Sequence, residues 1–153
     1  MPDGLPGSDD TVSKALDRYI AYWQRLSPGS LEDLRDLAHT DVRFKDPFND
    51  VRGIDAMLAV LRKAFEDADD INFVVQRVAR SDGHAYLRWD MSCRPKTSRS
   101  AEPFRIEGVS EVWLDFDGHV LAHVDYWDSG EQFYERIPLL GRVIRLIKRR
   151  MAA

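Results

Sequence analysis

Residues 119 to 128 read H-V-L-A-H-V-D-Y-W-D, two imidazoles and two carboxylates within ten positions. In a strand alternate side chains share a face. His119, Leu121, His123, Asp125 and Trp127 then lie on one side, and Val120, Ala122, Val124, Tyr126 and Asp128 on the other. A carboxyl group beside an imidazole on an apolar wall is a proton-transfer pair, because loss of solvent moves both pKa values towards neutral. The same periodicity fits a sheet turned over, with the Tyr126 face in the core and His123 and Asp125 in solvent or at a dimer interface. A metal fits the spacing poorly. His119 and His123 would stand roughly 13 Å apart along a strand, against ligand bonds of about 2 Å.

Two more residues could join such a site. Asp46 ends a strand-like stretch and is followed by Pro47, which restricts its backbone and can aim its carboxylate into a cavity mouth. The commoner use of that dipeptide is to open a turn. Tyr19 lies on the apolar face of a helix-patterned segment, where its hydroxyl needs a partner.

The elements that must hold these groups follow from the hydrophobic pattern. Thr11 to Leu26 repeats Val12, Leu16, Tyr19, Ile20, Trp23 and Leu26 at helical spacing. After Ser27-Pro28-Gly29, Ser30 caps a short second helix carrying Leu31, Leu34 and Leu37. Thr40 to Lys45 reads as a strand. Ile54 to Asp69 is a third helix, with Ile54, Met57, Leu58, Leu61 and Phe65 inward. Four strands are then expected at Ile71–Arg80, Ala85–Cys93, Phe104–Asp115 and His119–Asp128, with turns at Ser81-Asp82-Gly83 and Asp117-Gly118. A last helical stretch runs to about Arg150. Helices first and antiparallel strands later predict an α+β fold: a curved, mostly antiparallel sheet wrapped around helices as a cone with an internal pocket. Tyr86, Trp113, Val120 and Tyr126 are candidates for the outer face of that sheet, and burying them in a two-fold partner predicts a homodimer.

Composition narrows the function classes. The chain has 153 residues, 44% of them hydrophobic, and a net charge of −4. That is an ordinary single-domain mixture without the basic face of a general nucleic-acid binder. Cys93 is the only cysteine, so no internal disulfide or cysteine-based zinc site can form. Its place beside Trp89 and Met91 predicts a buried, inert thiol. The first ten residues, MPDGLPGSDD, have no signal-peptide character and read as a flexible leader, with a cytoplasmic setting as the expectation. Residues 11–135 form the cone domain. Residues 136–153 form a basic amphipathic helix in which Ile137, Leu140, Ile144, Ile147 and Met151 oppose Arg142, Arg145 and Arg149. Such a helix can lie on an anionic membrane surface, a weak contact for so short a segment, and more often packs on its own domain or a partner subunit.

Taken together, R-Y-I at 18–20, F-K-D-P-F at 44–48, D-G-H-V at 117–120 and H-V-D-Y-W-D at 123–128 resemble the nuclear transport factor 2-like superfamily, in its SnoaL-like and ketosteroid-isomerase-like branch. The resemblance covers about residues 12 to 135 and implies the curved-sheet cone. It implies that Tyr19 matches the isomerase tyrosine that donates to the substrate oxyanion, that Asp46 matches the isomerase base, and that Trp127 is an aromatic pocket wall. Leu87 and Trp89 fall on pocket-facing positions, and Phe65 joins them as a substrate contact from the third helix. Ser110, expected as a further substrate contact, stands where the isomerase has a second acid, and His123 and Asp125 replace apolar or small residues. Those departures look more like SnoaL-type polyketide cyclases, in which a late-strand Asp is the acid/base. The resemblance therefore implies a cofactor-independent isomerase- or cyclase-type enzyme acting on a small hydrophobic carbonyl compound, with Asp125, His123, Asp46 and Tyr19 as its catalytic groups. The alternative is a non-catalytic module of the same fold that binds a hydrophobic ligand or serves as a dimeric regulator.

Overall fold

The computed structural model describes residues 9–100 and 102–152. Helix α1 (Asp9–Gln24) buries Ala15, Leu16, Tyr19, Tyr22 and Trp23, the three-and-four spacing of one helical face. Most of the leader expected over 1–10 lies outside the described residues, and Asp9 and Asp10 already belong to α1. A 3-10 helix (Pro28–Asp36) follows and buries Leu31 and Leu34. It begins earlier than expected: Ser27 is the cap, and its amide donates to Ser30 Oγ at 3.0 Å.

Next come β1 (Ala38–Lys45), β2 (Asp50–Arg52) and α2 (Ile54–Asp67). Strand β2 has three residues, too few to leave a periodic signal in the sequence. The meander is β3 (Ala68–Ser81), β4 (His84–Pro95), β5 (Phe104–Leu114) and β6 (Val120–Tyr126). The final stretch, expected as one helix, divides into α3 (Ser129–Gln132), a 3-10 turn (Tyr134–Arg136) and α4 (Leu140–Met151).

One six-stranded sheet results, in the order β2-β1-β6-β5-β4-β3. It is curved and unclosed, and β6 pairs parallel with β1 while all other neighbours are antiparallel. This is the expected α+β cone. Its concave side is filled. Tyr19 stands edge-on to Trp23, with ring centroids 6.1 Å apart, and Trp23 edge-on to Phe73 at 5.3 Å. Phe73 is in turn edge-on to Trp89 at 5.7 Å. Met57 and Leu58 of α2 and Val42, Leu87 and Val112 of the sheet complete a buried core.

The β5–β6 ladder contains the feature that aims the chemistry. Leu114 pairs with Val120 but Trp113 with Ala122, so Leu121 is the extra residue of a β-bulge. Before the bulge Val120 points inward and is fully buried. After it, His123 points inward and is 3% exposed. The unbroken alternation expected from His119 to Trp127 is therefore corrected. His119 and Leu121 are exposed, and Val120, expected on the outer face, belongs to the core. Tyr86, Trp113 and Tyr126 do lie exposed, with the His84 and Trp113 rings stacked 4.3 Å apart. Cys93 is buried, and burial pushes its thiol pKa up. Among the described residues no helix is long and apolar enough to cross a membrane.

Candidate functional site

Antiparallel register sets Ser110 opposite Asp125 and Val112 opposite His123, while one turn of α1 brings Tyr19 over the same wall. The result is a continuous hydrogen-bonded chain. Trp89 Nε1 donates to Ser110 Oγ at 2.8 Å, and the Ser110 hydroxyl donates to Asp125 Oδ1 at 2.5 Å. His123 Nε2 lies 2.8 Å from the same carboxylate oxygen, and His123 Nδ1 lies 2.9 Å from the Tyr19 hydroxyl.

Proton positions follow from burial. Tyr19 is fully buried, and desolvation above all holds its pKa well above the ordinary phenol value, with the charge of Asp125 adding to the rise. The phenol therefore keeps its proton and can donate it to Nδ1. In the tautomer that accepts this bond, the imidazole N–H is on Nε2, facing Asp125. In that tautomer every donor in the chain points towards Asp125 Oδ1. The arrangement resembles an orienting network, in which a serine and a histidine fix one oxygen of a carboxylate and leave the other available.

Asp125 Oδ2 makes no hydrogen bond among the described residues. Asp125 is 14% exposed in its side chain and borders an open hollow of about 510 Å³ at the ends of β1 and β6, which it lines with Lys45, Asp46, Pro47, Tyr126, Trp127 and Asp128. Trp127 forms one wall, with the Phe48 ring edge-on at 5.4 Å. Asp46 faces the same hollow in a different state. Its Oδ1 accepts from the Phe48 and Asn49 amides, both at 2.7 Å, and Asn49 Nδ2 lies 3.0 Å from each carboxylate oxygen. Its carboxylate closes the β1–β2 turn, the commoner role of an Asp before proline.

Of the expected site residues, Tyr19, Trp89, Ser110, His123 and Asp125 come together in one chain, and Trp127 and Asp46 stand at the hollow. Leu87 is core, 2% exposed, and Phe65 packs against the core from α2. Two contributors were not singled out from the sequence. Gly108 sits beneath the Trp89 indole: a Cβ there would lie 2.6 Å from that ring and 2.9 Å from the Tyr126 carbonyl. Only glycine lets Trp89 cross β5 to reach Ser110. Trp23 is tilted against His123, with ring centroids 4.9 Å apart, and its buried Nε1 has no hydrogen-bond partner among the described residues. That N–H opposes the rise in the Tyr19 pKa without the alignment of a true hydrogen bond. Its one signal in the sequence is the four-residue step from Tyr19 along the buried face of α1.

The family model of the SnoaL-like domain matches residues 17–123. Among solved structures, the fold is similar to a nuclear transport factor 2-like protein of unknown function from Exiguobacterium sp. 255-15, at 22% identity and a TM-score of 0.64, over 74% of this chain and 98% of that one. It is also similar to an epoxide hydrolase from M. tuberculosis described as LEH-like, at 13% identity and a TM-score of 0.64, over 92% and 97%. A candidate SnoaL-like polyketide cyclase from Jannaschia sp. CCS1 matches at 17% identity and a TM-score of 0.65, over 84% and 92%. At these identities the likeness is one of fold. A search of curated proteins found no match. With the family model running from within α1 to His123 in β6, over more than half of the chain, the chain belongs to the SnoaL-like domain family, on the nuclear transport factor 2-like and ketosteroid isomerase-like fold.

Proposed function

We propose that the protein is an acid–base enzyme of isomerase or cyclase type, acting on a small hydrophobic carbonyl compound, and that Asp125 is its base. The observation that carries this reading is the asymmetry of one carboxylate: Oδ1 is held by Ser110 and His123, and Oδ2, beside the hollow, is unbonded among the described residues. In the proposed step the substrate lies against Trp127, Oδ2 takes a proton from the carbon alpha to the carbonyl, and the C–H electron pair moves into an enolate. Lys45, on the same hollow, supplies positive charge to the enolate oxygen. Return of the proton from Asp125 to another carbon completes an isomerisation, whereas attack of the enolate on a second carbonyl forms the ring C–C bond and an alkoxide, and passage of the Asp125 proton to that alkoxide completes a cyclisation. His123 and Tyr19 act through Asp125 as positioning residues, since both are buried behind it.

A second reading is favoured by the ring-filled concave side: a non-catalytic module, with the exposed Tyr86, Trp113 and Tyr126 face covered by a second copy in a homodimer. The two readings separate in one experiment, deuterium uptake at the alpha carbons of β-tetralone in heavy water, followed by NMR. The enzyme reading expects uptake above the buffer rate with the wild-type chain and a return to that rate with Asp125→Asn. Uptake equal in both, or absent from both, overturns it.

A further inference from the structure

Helix α4 is docked by its polar side. It carries Arg142, Arg145, Lys148, Arg149 and Arg150 and no acid. At 3.6 residues per turn, Leu140, Val143, Ile144, Ile147 and Met151 fall on one stripe, and an amphipathic helix resting on its own domain buries such a stripe. Here Gly141 is the only residue of the helix that is buried, pressed so close to the Glu135 carbonyl that a Cβ would collide with it. Arg145 Nη1 donates to that carbonyl at 3.1 Å, and Lys148 pairs with Glu131 at 3.0 Å and Glu135 at 2.8 Å. Most of the apolar stripe faces outward: Val143 is 54% exposed, Ile147 53% and Met151 82%, with Ile144 half-buried at its inner edge. Leu139 extends it. At φ 68 this leucine occupies the left-handed region, and the Leu140 amide donates back to the Pro138 carbonyl at 2.9 Å. That γ-turn is a rare conformation for leucine, and it leaves the side chain 71% exposed.

We propose that α4 docks the protein on the surface of an anionic membrane, its apolar stripe entering the headgroup region and its free arginines meeting lipid phosphates. Charge selects this occupant. Arg142, Arg149 and Arg150 make no ion pair among the described residues, whereas the rest of the chain carries the acidic excess behind the net −4. An anionic surface therefore attracts the helix and repels the remainder, which orients the molecule. A second copy of the stripe would bring two sets of five cationic side chains together, at a cost in like-charge repulsion. Twelve residues span about 18 Å, the dimensions of a helix that lies in the interface and does not cross it.

The test is co-sedimentation of the full chain with phosphatidylcholine vesicles, plain or containing about one-third phosphatidylserine. Binding to the anionic vesicles alone is expected, weakening as salt rises. Arg149→Gln with Arg150→Gln should weaken it roughly thirtyfold, at about fivefold per cation. Val143→Ser with Ile147→Ser should abolish it, and because both sites are exposed the thermal melt should stay unchanged. No binding to anionic vesicles overturns the proposal, as does equal binding to plain vesicles. It also fails if the serine variant converts a dimer to a monomer by light scattering while vesicles stay unbound, since the stripe would then join two copies.

Discussion

Asp46 and Asp125 face one hollow from adjacent, parallel strands and do opposite things there. Asp46 accepts from residues two and three positions ahead of it, so its carboxylate is consumed by its own turn. Asp125 is held by groups from β5 and from β6 itself, with α1 and β4 behind them, and these use one oxygen only. Local partners close a loop, and distant partners aim a side chain. Residue type and exposure to the hollow are shared by the two, so the partner list is what separates a structural aspartate from a candidate base.

The largest expected effect tests that separation directly. Asp125→Asn keeps shape and removes the base, so alpha-carbon exchange should fall by about 10²–10⁴-fold, while Asp46→Asn should leave it within about threefold, a change well below the general-base contribution. Equal losses at both positions would erase the comparison. Gly108→Ala comes next. Its Cβ meets the Trp89 ring at 2.6 Å, so the melt should drop by the equivalent of about 1–3 kcal/mol and the Trp89–Ser110 bond should break, lowering exchange through Asp125. An unchanged melt would show that β5 yields without strain. Asp46→Ala should cost about 1–2 kcal/mol in urea unfolding and little exchange, the reverse of the Asp125 result.

A smaller effect concerns pH. Burial above all raises the pKa of Tyr19 and of Tyr22. A phenol that stays neutral in the folded chain stabilises fully below the unfolded value near 10, and that contribution is lost as pH rises through the raised folded values. The urea midpoint should therefore fall between about pH 9 and about pH 11, and less steeply in Tyr19→Phe, which removes one of the two phenols. Identical slopes would place that loss elsewhere. The smallest signal is Cys93, whose buried thiol should react with a disulfide reagent only at the rate of unfolding.

Much of the fold was legible because its signals are repeated: the apolar faces of α1 and α2 and the alternation of β4 and β5 each recur over several residues. The family motifs and the alternation of β6 together identified His123 and Asp125 as an inward pair. They failed around Leu121, because a bulge shifts the phase by one residue and alternation carries no mark of it. Strand β2 was too short to register. Ser110 reads from the sequence as a substrate contact at the place of the isomerase's second acid. Its role as the link between Trp89 and Asp125 depends on the β4–β5–β6 register, in which Leu87, Ser110 and Asp125 stand in line. The polar docking of α4 was equally out of reach, since helical periodicity defines two faces without saying which one the domain takes.

The central claim is that the open oxygen of Asp125 takes the proton. A crystal structure of Asp125→Asn soaked with β-tetralone tests it most directly, because the variant keeps the hollow and halts the step. Proton abstraction by Oδ2 requires the ring system against Trp127 and an alpha carbon within about 3.5 Å of the side-chain atom that replaces Oδ2. A ligand whose alpha carbons lie closer to Asp46 than to position 125, or one bound on the outer face beside Tyr86 and Trp113, would contradict it.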